Sequence, residues 1–279
     1  MAGPGRDPYE WVKTALRQEV GFCCPVQGCG SPYLTWHHFD PPWRVEHHHH
    51  PEGMIALCRE HADKADNGAF TDDQLRELKR EGKSRAAQAR GRFDWMRQDL
   101  LSVVGRNFFY EQRVIFQIAE VPCIWFDRDE AGYLLLNFKM PTISSCPRAQ
   151  IDQNFWSVPP AVDEVICPPS GRLIEVKYPN GDKFRAEFFN AYSPNELDRK
   201  YPPSSPRQWY SALQFPLTVV ELWETAVGTN IEFGPKFSRL GGIQMIDCFS
   251  TRNGGAGIRI DVSPEQLAAL FPSPEDAAS

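Results

Sequence analysis

The sequence lacks any long apolar run. No stretch reaches the ~18 uncharged apolar residues that a membrane span requires, and the first residues lack the apolar core of a secretory signal. Basic residues are not in excess either, because the formal net charge is −6. These absences argue against a membrane-spanning protein, a secreted protein and a protein that coats nucleic acid over its whole surface. We therefore expect a cytoplasmic protein whose contacts with nucleic acid are local.

Histidine and cysteine are concentrated in one part of the chain. All seven histidines lie between residues 37 and 61, and four of the eight cysteines, Cys23, Cys24, Cys29 and Cys58, lie in or beside this window. In a chain without a secretory signal, such clustering indicates a metal site rather than a disulfide framework.

The spacing of these residues is typical of structural zinc. Cys24 and Cys29 flank a short turn, whereas Cys58 and His61 are three residues apart in a run that can form a helix and share one face. Two such pairs can occupy the corners of a tetrahedron. The sequence predicts one Zn²⁺ bound by these four residues. Cys23 is an alternative first ligand that is less favoured, since Cys24 gives the better turn.

Two further motifs accompany the zinc pairs, WHHFDP at residues 36–41 and PEGMIALCREHA at residues 51–62. Together with the cysteine pair they make residues 21–68 resemble the HNH (ββα-metal) endonucleases. The resemblance implies hydrolysis of phosphodiester bonds in nucleic acid, with DNA favoured over RNA. It also implies a catalytic Mg²⁺ or Mn²⁺ with His37 as a ligand, and His38 as the general base that activates water.

Two positions depart from the family pattern. The middle residue, often Asn, falls at Gly53, and Ala62 stands where His or Asn usually completes the catalytic metal site. A methyl group cannot bind a metal, so we expect the chain as given to be inactive or nearly so. A deliberate His-to-Ala change is favoured over natural loss because the other motif residues are retained. The alternative function is a catalytically inactive zinc-binding module whose β-rich domain binds a ligand or a protein.

The histidine run at residues 47–50 allows three interpretations: a substitute metal ligand, a phosphate contact or a solvated loop. His49 or His50 is favoured as the functional one, because a helix is predicted just after Pro51, and His50 is the candidate metal ligand.

One stretch of the chain is basic. Residues 75–97 contain eight basic and three acidic residues. Beside a nuclease-like site such a stretch can contact phosphates. The candidate contacts are Arg76, Lys79, Arg80 and Lys83.

The period of the apolar residues changes after Gly105. Before it, helices are predicted near residues 8–20, from the Thr71 capping box onward, and over residues 84–104. After it, short apolar runs and the Asn180-Gly181 pair indicate strands and a hairpin.

The predicted fold class is therefore α+β, with an N-terminal zinc-stabilised ββα-metal domain and its flanking helices at residues 1–106. A β-rich domain follows at residues 107–279. All of the acidic excess lies in this second part, which carries 15 basic and 21 acidic residues. We expect it to serve in targeting, sensing or self-association, with a protein or a small molecule as activator.

Overall fold

The computed structural model describes residues 5–85, 88–251 and 255–272. These residues form a mixed α+β structure of five α-helices and nineteen strands. The chain divides into two compact units. Unit 1 comprises residues 1–91 and 157–176, and unit 2 comprises residues 92–156 and 177–279. The boundary predicted after residue 106 stays a prediction, although residues 92–106 belong to unit 2.

Unit 1 contains a β-hairpin that is followed directly by a helix. Strands β1 and β2 pair antiparallel, and the apolar side chains of β2 are buried against the helices. The elements are α1 (Glu10–Glu19), β1 (Leu34–His38), a 3₁₀ helix (Pro51–Gly53), β2 (Met54–Cys58), α2 (Arg59–Asp66), α3 (Asp72–Arg85), β3 (Ala89–Arg92), β11 (Glu164–Ile166) and β12 (Leu173–Lys177).

Local sequence signals explain the helices of unit 1. Thr71 and Gln74 exchange side-chain-to-backbone hydrogen bonds of 2.9 and 3.2 Å, which is the predicted capping box. The sequence also predicts a break at Gly82, but α3 continues through this residue to Arg85. A side chain there would bring its Cβ within 2.9 Å of the Val20 Cα, so glycine permits this close packing. A buried ion pair between Arg17 and Glu164 joins α1 to the 157–176 segment.

Unit 2 is rich in strands. Its elements are β4 (Leu101–Val104), β5 (Asn107–Tyr110), β6 (Val114–Ile118), β7 (Val121–Arg128), β8 (Leu134–Lys139), β9 (Gln150–Asp152), β10 (Phe155–Val158), β13 (Lys183–Ala191), α4 (Pro194–Lys200), a 3₁₀ helix (Gln208–Ala212), β14 (Leu217–Ala226), β15 (Ile231–Phe233), β16 (Ser238–Leu240), β17 (Ile243–Met245), β18 (Phe249–Thr251), β19 (Ala256–Ile260) and α5 (Pro264–Leu270).

Strand β14 is the centre of one sheet of unit 2. It pairs antiparallel with β13 and β15 and parallel with β4. In a second sheet β6, β7 and β8 pair antiparallel, and β19 runs parallel to β6. Aromatic side chains fill the core, as where the Phe138 and Phe184 rings stack at 3.9 Å between centroids.

The strands predicted after Gly105 are confirmed, and Gly181 lies in the turn between β12 and β13 with φ +90°. The helix predicted over residues 84–104 is wrong. Helix α3 ends at Arg85, β3 and β4 follow, and residues 86–87 lie outside the described residues. Leu101 to Val104 are buried and pair with Val219 to Leu222, so tertiary pairing overrides the local helical pattern.

No helix in the described parts of the chain combines the length and apolar character needed to cross a membrane. The longest, α3, has 14 residues and is strongly polar.

Candidate functional site

Cys24, Cys29, Cys58 and His61 come together in unit 1. One ligand atom from each residue lies within 4.8 Å of all the others. Cys29 Sγ lies 3.7 Å from Cys58 Sγ, and Cys24 Sγ lies 3.5 Å from His61 Nδ1. A tetrahedral zinc ion with ordinary bond lengths separates its ligands by about 3.6–3.8 Å. The four residues can therefore bind a metal ion such as zinc. Cys23 is not part of this group.

The first cysteine pair is held by a tight turn. The Cys29 N–H donates to the Val26 carbonyl at 3.0 Å. Gly28 and Gly30 adopt φ values of +78° and +61°, a left-handed conformation that glycine adopts without a steric penalty. The turn thereby brings Cys24 and Cys29 to the same side of the chain.

The second pair comes from the junction of β2 and α2. Cys58 is the last residue of β2, and His61 lies in the first turn of α2. Burial raises the pKa of the Cys24 and Cys58 thiols. A metal ion bound here must displace the thiol protons, so binding releases protons to the solvent.

A cavity of about 390 Å³ adjoins the end of β1 in unit 1. The two predicted catalytic histidines, His37 and His38, both lie at its wall. Adjacent side chains on a regular strand would point to opposite faces. His37 and His38 are the last two residues of β1, where the strand gives way to the Asp40-Pro41 turn. The side chains at its wall include Arg6, His37, His38, Trp43, Arg44 and Asp66.

His37 faces a carboxylate. Its Nδ1 lies 3.3 Å from the Asp66 Oδ1, and Asp66 is the last residue of α2. Burial lowers the pKa of His37, and the nearby Asp66 charge partly opposes this shift. Imidazole nitrogen is a ligand for divalent transition metals, and carboxylate oxygen is a ligand for Mg²⁺ and Mn²⁺, so the pair could share a divalent cation. Asp66 was not predicted from sequence, although it follows Ala62 by four residues on the same helix face.

His38 is held by the backbone of the histidine run. Its Nε2 lies 3.0 Å from the His48 carbonyl oxygen. Since a carbonyl only accepts, Nε2 carries the proton and Nδ1 carries the lone pair. Among the described residues Nδ1 has no hydrogen-bond partner. Burial, reinforced by His48, lowers the pKa of His38 to about 4, so the ring is neutral at neutral pH.

The cavity carries two cations that sequence reasoning missed. The guanidinium groups of Arg6 and Arg44 make no ion pair with any residue that the structure describes. Asp66 and Asp72 supply the opposing charges at the same cavity. No local motif marks these arginines, because one precedes α1 and the other lies in the loop after β1.

The departures from the motif have physical explanations. A Cβ at residue 53 would lie 1.9 Å from the Asp40 carbonyl oxygen, so only glycine fits there. Ala62 is buried in the core of unit 1 and does not line the cavity. His50 is exposed, and its backbone N–H donates to His48 Nδ1 at 3.1 Å. Its imidazole does not belong to the metal-binding group or to the cavity wall.

Three of the four predicted phosphate contacts already have partners within the chain. Arg76 pairs with Asp40 at 2.5 Å and with Asp73 at 2.7 Å, and Lys79 pairs with Glu19. Arg80 lies 3.4 Å from its neighbour Glu81, and Lys83 is exposed at a different cavity. Their role in binding nucleic acid stays a prediction.

Unit 2 contains a larger cavity of about 490 Å³. Leu100, Phe126 and Leu134 give it an apolar part, whereas Arg113 and Asp127 give it charged groups. The size and mixed lining are typical of sites for small molecules.

Comparison of the chain with protein-family models, curated proteins and solved structures gave no match. The likeness to HNH endonucleases therefore depends on the motif residues and stays a prediction.

Proposed function

We propose that the chain is an HNH-type, metal-dependent nuclease that hydrolyses phosphodiester bonds, with DNA as the favoured substrate. The observation that carries the proposal is the cavity of unit 1. It combines the His37–Asp66 pair, the neutral His38 and two arginines that have no ion-pair partner among the described residues, beside the cysteine and histidine cluster.

Each side chain has a distinct role in this reaction. His37 and Asp66 would hold a divalent cation, which when bound stabilises negative charge on the phosphate and the leaving oxygen. His38 takes a proton from the attacking water at Nδ1, because its Nε2 is already a donor to the His48 carbonyl. Arg6 and Arg44 attract and orient the phosphate backbone.

Two ligands from the protein bind a cation more weakly than three, and Ala62 supplies none. An imidazole at residue 62, one helical turn before Asp66 on the same face of α2, would supply a third ligand, so Ala62→His should give Mg²⁺- or Mn²⁺-dependent cleavage of plasmid DNA. His38→Ala in that background should reduce the rate by about 10²-fold or more, the usual contribution of a general base. If Ala62→His protein that is folded by circular dichroism cleaves neither DNA nor RNA with any divalent cation, the nuclease proposal fails.

A second candidate is a catalytically inactive zinc-binding module. Ala62 and the cavity of unit 2 favour it, since that cavity could bind a small-molecule signal. A ligand of unit 2 should raise the melting temperature of the wild-type chain. Phe126→Ala should abolish this shift, whereas zinc content should not change.

A further inference from the structure

The four consecutive histidines differ in what their rings contact. The His47 ring stacks on Trp43 with centroids 4.6 Å apart, and the His49 Nε2–H donates to the Gly5 carbonyl at 2.8 Å. Within the described chain, His48 is the one of the four whose ring nitrogens both make hydrogen bonds. It is also the most buried, with 3% of its surface exposed.

The two hydrogen bonds of the His48 ring assign one role to each ring nitrogen. The Nε2–H donates to the Pro41 carbonyl at 2.8 Å, and Nδ1 accepts from the His50 N–H at 3.1 Å. Because Nδ1 accepts from a backbone amide, it carries no proton. The ring bridges two points of the loop that links β1 to the 3₁₀ helix.

Packing holds the ring in this position. The Gly53 backbone lies against it, since a Cβ at residue 53 would lie 3.0 Å from His48 Cε1. The His38 and His48 rings meet edge to face, with centroids 5.2 Å apart. The loop backbone at residue 48 is therefore fixed relative to the end of β1.

The backbone carbonyl of His48 is the hydrogen-bond acceptor for His38 Nε2–H, at 3.0 Å. We propose that His48 is a positioning residue, whose ring holds its own carbonyl so that His38 keeps a single tautomer with the lone pair on Nδ1. This role rests on the proposed function, in which Nδ1 of His38 accepts the proton of water. It also assigns a purpose to the histidine run other than metal ligation.

Nitrogen NMR of the full-length, zinc-loaded protein with ¹⁵N-labelled histidine tests the assignment. His38→Gln identifies the His38 signals by their loss. Wild type should show His38 protonated at Nε2 alone. His48→Ala should give averaged shifts of the two tautomers, whereas His47→Ala, the matched control, should leave the His38 signals unchanged. An unchanged single tautomer in His48→Ala would overturn the proposal.

Two further variants distinguish the effect of the His48 hydrogen bonds from the effect of ring packing. They also test the proposal if His48→Ala does not fold. His48→Asn keeps a donor and an acceptor without the ring, and should preserve the His38 tautomer. His48→Phe keeps a ring without hydrogen bonds, and should produce the averaged shifts. A folded His48→Phe protein that retains the Nε2-protonated His38 contradicts the proposal, as does a folded His48→Asn protein that loses it.

These spectra do not require catalysis. Absence of cleavage by Ala62→His would defeat the proposed function and leave the tautomer result standing. If Ala62→His is active, adding His48→Phe should lower kcat about 10-fold or more with KM unchanged, because substrate binding does not involve the His48 ring. A change in KM alone would contradict the positioning role.

Discussion

His37 on β1 and Asp66 at the end of α2 meet at the wall of one cavity, with the imidazole Nδ1 3.3 Å from the carboxylate Oδ1. Strand β1 and helix α2, which β2 separates in the chain, thus contribute one nitrogen and one oxygen to the same place. Neighbouring ligands of a cation with bond lengths of about 2.1 Å are separated by roughly 3.0 Å. A small movement of the Asp66 carboxylate towards His37 would therefore allow both side chains to bind the same cation.

Asp66→Asn should weaken Mn²⁺ binding about 10-fold or more, because a neutral amide replaces a charged oxygen ligand. Electron paramagnetic resonance of free Mn²⁺ in a titration measures this affinity directly. The matched control is Asp63→Asn, which removes the same charge from an exposed position of α2 outside the cavity. Equal Mn²⁺ affinities for the two variants would exclude Asp66 as a ligand.

One zinc ion per chain should copurify with the protein. Cys58→Ser should lose it and make residues 21–68 sensitive to protease, since the metal holds the turn of Cys24 and Cys29 against α2. Cys248→Ser, at an exposed cysteine of unit 2, should retain the zinc. Elemental analysis and limited proteolysis check both variants. Wild-type protein without zinc would contradict the assignment.

The sequence predicts the metal group well because its spacing is local. Cys58 and His61 are separated by about one helical turn, and Cys24 and Cys29 by one tight turn, so short-range geometry determines each pair. Asp66 was missed although its i+4 relation to Ala62 was a usable signal. A search of the same helix face for oxygen ligands would have found it.

Long-range features were not accessible in the same way. Arg6 reaches the cavity from before α1, and nothing in its neighbourhood marks it as functional. Leu101 to Val104 look helical in isolation, yet they become a strand because Val219 to Leu222 pair with them from a distant part of the chain. Packing determines which distant segments of the chain pair with each other. The local spacing of apolar residues does not contain this information.

Removing either cavity arginine should weaken nucleic-acid binding without changing sequence preference. Arg6→Ala or Arg44→Ala should each reduce the slope of log affinity against log salt by about 1, the loss of roughly one phosphate contact. Arg59→Ala is the control, since Arg59 is an exposed cation of α2 outside the cavity. Fluorescence anisotropy with a labelled DNA duplex in Ca²⁺ measures the slopes. Three identical slopes would show that the cavity does not bind phosphate.

Glu224 should make the stability of unit 2 depend on pH. It lies on β14 opposite Phe184 and Phe233 and is 2% exposed, and neither carboxylate oxygen has a hydrogen-bond partner among the described residues. Burial raises the pKa of Glu224 well above its usual range, and the charge of Asp182 adds to the shift. The folded chain therefore keeps a proton that the unfolded chain releases.

Stability should consequently fall as pH rises from the ordinary glutamate pKa towards the raised value. The expected loss is about 1.4 kcal/mol for each pH unit in that window. Glu224→Gln cannot ionise and should remove this slope, being at least as stable as wild type at about pH 8. Glu130→Gln, at an exposed position, should keep it. Urea unfolding at about pH 6 and pH 8, monitored by near-ultraviolet circular dichroism, measures the stability of the three proteins. If Glu224→Gln keeps the wild-type dependence on pH, the Glu224 carboxyl is already ionised in the folded chain and the prediction is wrong.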